Sequence, residues 1–220
     1  MEDAFIYDTV RSPRGKGKKG ALNELTAVAL SAKILKELQE RNKLNTEEVE
    51  DVIWGNVTQV GEQGGCLARS AVIAANYSES TPGLSINRFC ASGLEAVNLA
   101  TNQVKGSAGN VYVAGGVEMM SRVPMGSDGA AIAVDPTLAM NSYFVPQGIS
   151  ADILATKYGF SRDDVDAFAV ESQKRASAAR QSGHFKKSIA VIKDQNDLTI
   201  LKEDEHIRPE TSMQSLGGLE

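Results

Sequence analysis

The run Gly83-Leu84-Ser85-Ile86-Asn87-Arg88-Phe89-Cys90-Ala91-Ser92-Gly93-Leu94-Glu95-Ala96-Val97 constrains the fold more than any other stretch of the chain. Leu84 and Ile86 alternate as one face of a short strand. Ser92 and Gly93 then open a stretch in which Leu94, Val97 and Val104 recur at helical spacing. The pattern predicts strand, tight turn, cysteine, helix, with the Cys90 thiol at or just before the helix N-terminus. Free backbone N–H groups and the positive end of the helix dipole favour a thiolate in such a place. The same donors can hold a developing oxyanion. That combination suits acyl transfer through a covalent cysteine adduct. The pattern also fits a buried structural cysteine packed as a small hydrophobe, and geometry read from sequence does not choose between the two.

The rest of the chain predicts alternating strands and helices. An apolar run at 4–10 reads as a first strand, followed by a basic, Gly-rich turn from Arg11 to Gly20. Asn23 is placed to cap a helix reaching about Gln39, with Leu25, Val28, Ala32, Leu35 and Leu38 on one face. Thr46 begins a short helix with Glu47 and Glu48 in its first turn. Further strands are expected at 52–57, 84–87 and 111–114, with helices at 67–75 and 92–105. Such alternation argues for a mostly parallel sheet packed by helices. In sheets of that kind chemistry gathers at the carboxyl ends of the strands. Cys90 and Gly115-Gly116-Val117-Glu118 both fall at such ends. Glu118 reads as a structural carboxylate there rather than a general base.

Composition changes near Ser121. The stretch from Arg122 to Gln147 is rich in Gly, Pro, Met and Ala and reads as an irregular excursion. Helices are expected from Ser150 to about Tyr158 and from Arg162 to about Ser182. Ser161 caps the second, Phe168, Val170 and Ala179 face inward, and Gly183 ends it. Two short strands, 189–192 and 198–201, flank the turn 194–197. The methionines Met119, Met120 and Met125 are expected to pack.

The 220 residues carry a net charge of −5, with 42% hydrophobic and 23% charged residues. That balance suits a globular protein with a sizeable core and argues against a nucleic-acid partner. Two cysteines are too few for a disulfide framework, and no Cys/His spacing suggests a metal site. The N-terminal residues lack a signal-peptide pattern, and no apolar run is long enough to span a bilayer. A reduced, cytoplasmic setting is expected.

Asn87-Arg88-Phe89-Cys90-Ala91-Ser92-Gly93-Leu94 resembles the nucleophile motif of the thiolases, the acetyl-CoA acetyltransferases and 3-ketoacyl-CoA thiolases. Arg11-Ser12-Pro13 with the Gly/Lys stretch, Gly115-Gly116-Val117-Glu118-Met119-Met120-Ser121, Ser161-Arg162-Asp163-Asp164-Val165-Asp166-Ala167-Phe168-Ala169 and Asp204-Glu205-His206-Ile207-Arg208-Pro209 resemble further family segments in the family's order. The resemblance implies an α/β fold: a mixed, mostly parallel sheet flanked by helices, with an inserted α/β loop domain. It places an N-terminal half carrying the nucleophile at 1–120 and the loop domain, with its oligomerisation excursion, at 121–220.

It also implies a role for Cys90 as the residue that takes the acyl group as a thioester and lends its backbone N–H to the oxyanion. Cys66 gains no such role and is expected in the core. Arg208 matches a family arginine beside the adenine of CoA, where a planar guanidinium stacks on a purine. A surface arginine in a charged loop explains the same residue equally well. Pro146 and Gln147 stand where many members carry Met and His beside the pantetheine, a departure that touches acyl-chain preference. His184 and His206 match no family histidine and are expected to be exposed.

The implied substrates are acyl-CoA and CoA, with no resident cofactor or metal. The implied partner is a second copy of the chain or a thiolase C-terminal half. The family's Gly-His-Pro and late Cys-x-Gly motifs have no counterpart in these residues. Three readings stay open: the N-terminal part of a thiolase, one subunit of a split thiolase, and a non-catalytic CoA-ester, lipid-binding or interaction module.

Overall fold

A computed structural model describes residues 3–219. They divide into two compact units: 3–128 with 188–205, and 129–187 with 206–219. This differs from the single cut expected at 120/121. The chain leaves the first unit later than the change in composition suggests, and it returns to that unit with 188–205 before leaving again.

The first unit is built on a parallel three-stranded sheet in the order β2-β1-β3. Its strands are β1 (Asp51–Gly55), β2 (Gly83–Ile86) and β3 (Tyr112–Gly116). Helices α1 (Ala27–Asn42) and α2 (Leu67–Ala74) bury Leu35, Leu67 and Val72 with Val52 and Trp54 of β1. Helix α3 (Ser92–Lys105) lies on the opposite face of β1, the face of Ile53 and Gly55. The central strand is therefore covered on both faces, and its run Val52-Ile53-Trp54 is apolar without alternation, as such strands require. Two polar side chains inside the core find partners: Trp54 Nε1 donates to Ser31 Oγ at 3.1 Å, and the Tyr77 hydroxyl donates to the Leu35 carbonyl at 2.9 Å, whereas Asp51 Oδ1 and Asn56 Oδ1 are buried without one among the described residues. Burial pushes the Tyr77 phenol up to about 12.

Helix α1 begins later than expected. Thr26 is its N-cap and accepts from Ala29 N–H, while Asn23 belongs to the preceding turn. The β-branched hydroxyl residue wins because it stands directly before the apolar face. The helix after β2 spans Ser92–Lys105, and α2 ends one residue short of the expectation.

Three expectations fail in this unit. Residues 4–10 do not form a strand. They run without a sheet partner, and Phe5, Ile6 and Tyr7 are exposed, Tyr7 at 92%. An apolar run becomes a strand only where a neighbour takes its N–H and C=O groups, and here pairing starts at Arg11, with Arg11 N–H on the Ser188 carbonyl and Ala190 N–H on the Arg11 carbonyl. Cys66 is exposed rather than core. Of the methionines, Met119 is buried, whereas Met120 and Met125 are exposed.

The segment 188–205 carries a two-stranded antiparallel ribbon, β4 (Ile192–Lys193) and β5 (Thr199–Leu201). Its far end clasps the basic N-terminal loop. Asp204 accepts both guanidinium N–H groups of Arg11, at 2.7 and 2.8 Å, together with the Arg14 N–H. Glu205 accepts from Lys16 N–H at 2.8 Å and from Ala21 N–H. The basic loop that the sequence shows is thus held by two consecutive carboxylates from the other end of the unit, one pairing the Arg11 guanidinium and both taking backbone N–H groups.

The second unit is helical: α4 (Ala131–Val134), α5 (Pro136–Ser142), α6 (Gln147–Tyr158), α7 (Arg162–Gln181) and α8 (Met213–Gly217). The excursion expected as irregular from Arg122 to Gln147 contains α4 and α5, the latter capped by Asp135 and started by Pro136. Ser161 caps α7 with a reciprocal bond from Asp164, as its position predicts. Arg162 ties α7 to α8 through the Leu216 carbonyl at 2.6 Å. Phe168, expected to face inward, is 79% exposed, while Asp166 and Ser177 are buried. The polar stripe of α7 is the one that meets α8, and its aromatic face is left uncovered within the unit. Helix α6 buries none of its residues. Among the described residues no helix is long and apolar enough to cross a membrane.

Two measurements test this architecture. A Cβ on Gly55 would stand 2.6 Å from the Ser92 carbonyl carbon and 2.7 Å from the Gly93 nitrogen. Gly55→Ala should therefore destabilise the chain by about 1–3 kcal/mol in urea titration by forcing α3 off β1. Hydrogen bonding from Arg11 is the largest influence on Asp204, and it holds the carboxyl below its ordinary value of 3.8. A carboxyl lowered on folding stabilises the folded state above that value and loses the contribution as pH falls through the folded value. The stability difference between the parent and Asp204→Asn should be full at pH 7 and fade below about pH 4.

Candidate functional site

The carboxyl ends of the three parallel strands meet around one carboxylate. Glu118, two residues beyond β3, accepts from Val57 N–H at 2.8 Å, from Thr58 N–H at 3.3 Å and from Gln63 Nε2 at 2.8 Å. Gln63 is fully buried, and its Oε1 takes the Met119 N–H at 2.8 Å. The ladder continues past the strands: Asn56 N–H donates to the Ile86 carbonyl and Val117 N–H to the Gly55 carbonyl. The loops after β1 and β3 are therefore tied to each other, and the loop after β2 is tied to β1.

Cys90 stands on the loop after β2, and its side chain is exposed. The turn that lifts it is held at Phe89, whose φ of 48° lies in the left-handed region that a bulky residue avoids. Both polar groups of Phe89 are gripped. Its N–H donates to Asn87 Oδ1 at 2.8 Å, and its carbonyl accepts from Ser92 Oγ at 2.6 Å and from Ser92 N–H at 3.0 Å. Ser92 Oγ also takes the Arg88 N–H at 2.8 Å. Asn87 reaches back to the Val57 carbonyl at 3.1 Å. One residue after the thiol, Ala91 is the N-cap of α3 and supplies no side-chain cap. Among the described residues no side chain caps the start of α3 in the way Thr26 and Ser161 cap theirs.

Arg88 pairs with Glu95 in the first turn of α3, at 3.0 Å. Asp51, at the opposite end of β1, has its carboxyl raised, with burial as the cause.

The other candidates are placed as follows. Cys66 is at the N-terminus of α2, in the left-handed region with φ 59°, and its Sγ lies 3.2 Å from the Gly83 carbonyl. Gly64-Gly65 directly before it was the local signal for a turn rather than a core position. Gln147 is the first residue of α6 and exposed; Pro146 is that helix's N-cap. Arg208 is exposed, with its backbone N–H on Gln173 Oε1 at 2.7 Å. Gln147 and Arg208 belong to the second unit and Cys90 to the first. His184 and His206 are both exposed. The tie from Asn87 to Val57 and the bracing by Gln63 were missed in the sequence. Asparagine two residues before a turn residue is a recognisable turn former, but a lone glutamine in a loop carries no signal.

A strand-end thiol at a helix start is common to several α/β folds, so the comparison with known proteins decides the family. The model of the thiolase N-terminal domain matches residues 4–220. The chain belongs to the thiolase family. A 3-ketoacyl-CoA thiolase of Shewanella sp. (strain MR-7) is 40% identical over 225 residues, covering all of this chain and 57% of that relative. One of Colwellia psychrerythraea is 37% identical over the whole chain and 58% of its own length. One of Marinobacter nauticus is 37% identical over 99% of the chain and 56% of its own length. The chain thus spans a little under three fifths of the length of these curated thiolases. The parallel sheet flanked by helices agrees with the α/β thiolase fold expected from the motifs.

Because both cysteines of this thiolase chain are exposed, iodoacetamide should alkylate Cys66 and Cys90 under native conditions, as read by peptide mapping. Protection of either thiol until urea is added would contradict the placement given above.

Proposed function

We propose that the chain carries the acyl-accepting part of a thiolase-type acyltransferase, with Cys90 as the nucleophile. The observation that carries this reading is the exposed Cys90 thiol on a clamped turn between the carboxyl end of β2 and the uncapped start of α3. The Cys90 sulfur attacks the thioester carbonyl of an acyl-CoA, and the C–S bond to CoA breaks. The proton released from the thiol leaves with CoA. The acyl group then passes to the carbanion of a second acetyl-CoA, or to free CoA in the reverse direction. Splitting the transfer this way replaces one difficult step with two easier ones. The Cys90 backbone N–H is the proposed donor to the tetrahedral oxyanion.

The names of the relatives, 3-ketoacyl-CoA thiolases, support an acyl-CoA substrate. Arg208 is proposed to stack on the adenine of CoA and Gln147 to lie beside the pantetheine; their exposure leaves both side chains available. Coenzyme A is substrate in this reading, with no resident cofactor or metal, in a cytoplasmic setting within fatty acid metabolism. The base that activates Cys90 and the acid for the second substrate are assigned to polypeptide outside these residues, since neither a Gly-His-Pro nor a Cys-x-Gly motif occurs here. The proposed partner is a thiolase C-terminal half or a second copy of the chain. The uncovered apolar residues Phe5, Ile6 and Tyr7 favour such a partner.

Intact mass and peptide mapping after exposure to labelled acetyl-CoA test the assignment. With a thiolase C-terminal half present, an acetyl group should appear on Cys90, disappear in Cys90→Ser and persist in Cys66→Ser. When the chain is assayed with a thiolase C-terminal half, Cys90→Ser should lower turnover at least a hundredfold. Full turnover in that variant would refute the role.

A further inference from the structure

We propose that Asn87 is a positioning residue for acyl transfer, holding the Cys90 turn against a strand-end platform built by Glu118. The inference rests on the reading of Cys90 as acyl carrier and adds a residue to it. Asn87 makes two bonds with different ends of its amide. Its Oδ1 accepts the Phe89 N–H at 2.8 Å, and its Nδ2 donates to the Val57 carbonyl at 3.1 Å. The first bond stabilises the left-handed Phe89, the residue directly before the thiol. The second fixes that turn to the loop after β1.

The peptide group that receives Asn87 is itself immobilised. The Val57 carbonyl and the Thr58 N–H belong to one planar unit, and the Thr58 N–H donates to Glu118 Oε1. Glu118 is in turn braced by the buried Gln63 and by Val57 N–H. A continuous chain of hydrogen bonds therefore runs from the end of β3, across the end of β1, to the residue preceding Cys90. Phe89 is 62% exposed, so hydrogen bonds on its N–H and carbonyl carry much of the cost of this conformation. Loss of the Asn87 bond removes one of these two holds and favours a return to negative φ. That rotation displaces Cys90 relative to the start of α3.

Displacement of this kind matters for one sort of chemistry more than another. Acyl transfer passes through a tetrahedral oxyanion that must meet donors at 2.7–3.1 Å. Alkylation by iodoacetamide displaces iodide from a carbon and forms no oxyanion. A residue that only keeps the loop folded affects both reactions alike, whereas a positioning residue affects acyl transfer selectively.

The test treats the 220-residue chain with 4-nitrophenyl acetate, which transfers acetyl to a thiol and releases 4-nitrophenolate. The same chain is treated in parallel with iodoacetamide, and modification at Cys90 is followed by peptide mapping. Cys66, which makes none of the Asn87 bonds and lies against Gly83 at the start of β2, is the internal control. Asn87→Ala should slow acetylation of Cys90 at least tenfold while alkylation changes less than threefold and Cys66 is unaffected. Asn87→Ser keeps an acceptor for the Phe89 N–H but lacks the donor that reaches the Val57 carbonyl, so acetylation should stay at least threefold below the parent, and full recovery would overturn the platform role. If Asn87→Ala loses its far-UV circular dichroism, Asn87→Gln, whose acceptor is carried one methylene too far, decides in its place.

Unchanged acetylation, or equal loss with both reagents, overturns the proposal. Failure of Cys90 to accept acetyl from acetyl-CoA in the presence of a thiolase C-terminal half, with the Asn87 selectivity intact on the small ester, would instead remove the thiolase-type function and leave the positioning role standing.

Discussion

The Glu118 carboxylate is the fixed point of the strand-end region. A carboxylate accepts several hydrogen bonds at once, and charge-assisted bonds to backbone N–H groups are among the stronger ones available. Glu118 spends this capacity on two successive N–H groups of one loop and on the amide of a buried glutamine. The loops after β1 and β3 cannot separate without leaving those donors unpaired beside the core, which costs about 1–3 kcal/mol for each. The turn carrying Cys90 is attached to this assembly rather than to the sheet itself. The rigidity of the thiol's surroundings therefore begins two strands away from the thiol.

A second constraint works from below. Gly55 ends the central strand with the backbone of Ser92 and Gly93 lying where its side chain would be. Gly115 does the same on the other face against the ring of Trp54. Missing side chains at these two places let α3 and Trp54 close on the sheet. The helix start then stands directly over the end of β1, which is why a cysteine two residues before Ser92 emerges at the strand ends. The basic loop at 11–21 is held from elsewhere, by Asp204 on the Arg11 guanidinium and by Asp204 and Glu205 on backbone N–H groups of the loop.

The helix from Ser92 to Lys105, its strand and the cysteine between them were legible because periodicity and capping chemistry agree there. The α7 start at Ser161 was legible for the same reason. Phe168 was misread because helical spacing marks an apolar stripe without saying whether anything covers it. Residues 4–10 were misread in the same way: they have a strand's composition but no neighbour that takes their backbone groups. Cys66 was misread because cysteine is usually buried, while the two glycines before it force a turn that carries it outward. The domain cut was misplaced because composition follows local segments, and 188–205 rejoins the first unit through long-range pairing with Arg11, Arg14 and Lys16.

The sequence by itself determined the order of strands and helices from α1 to β3, the turn that bears Cys90 and the family to which the chain belongs. These depend on residues close together in the chain, where spacing and side-chain type act directly on the backbone. Only the tertiary structure decided that Glu118 and Gln63 brace the strand ends, that Asn87 links the Cys90 turn to Val57, and which apolar faces stay open. Those outcomes join residues some 30 to 60 positions apart, and a hydrogen bond across such a gap exists only once the sheet has brought its two ends within 3 Å.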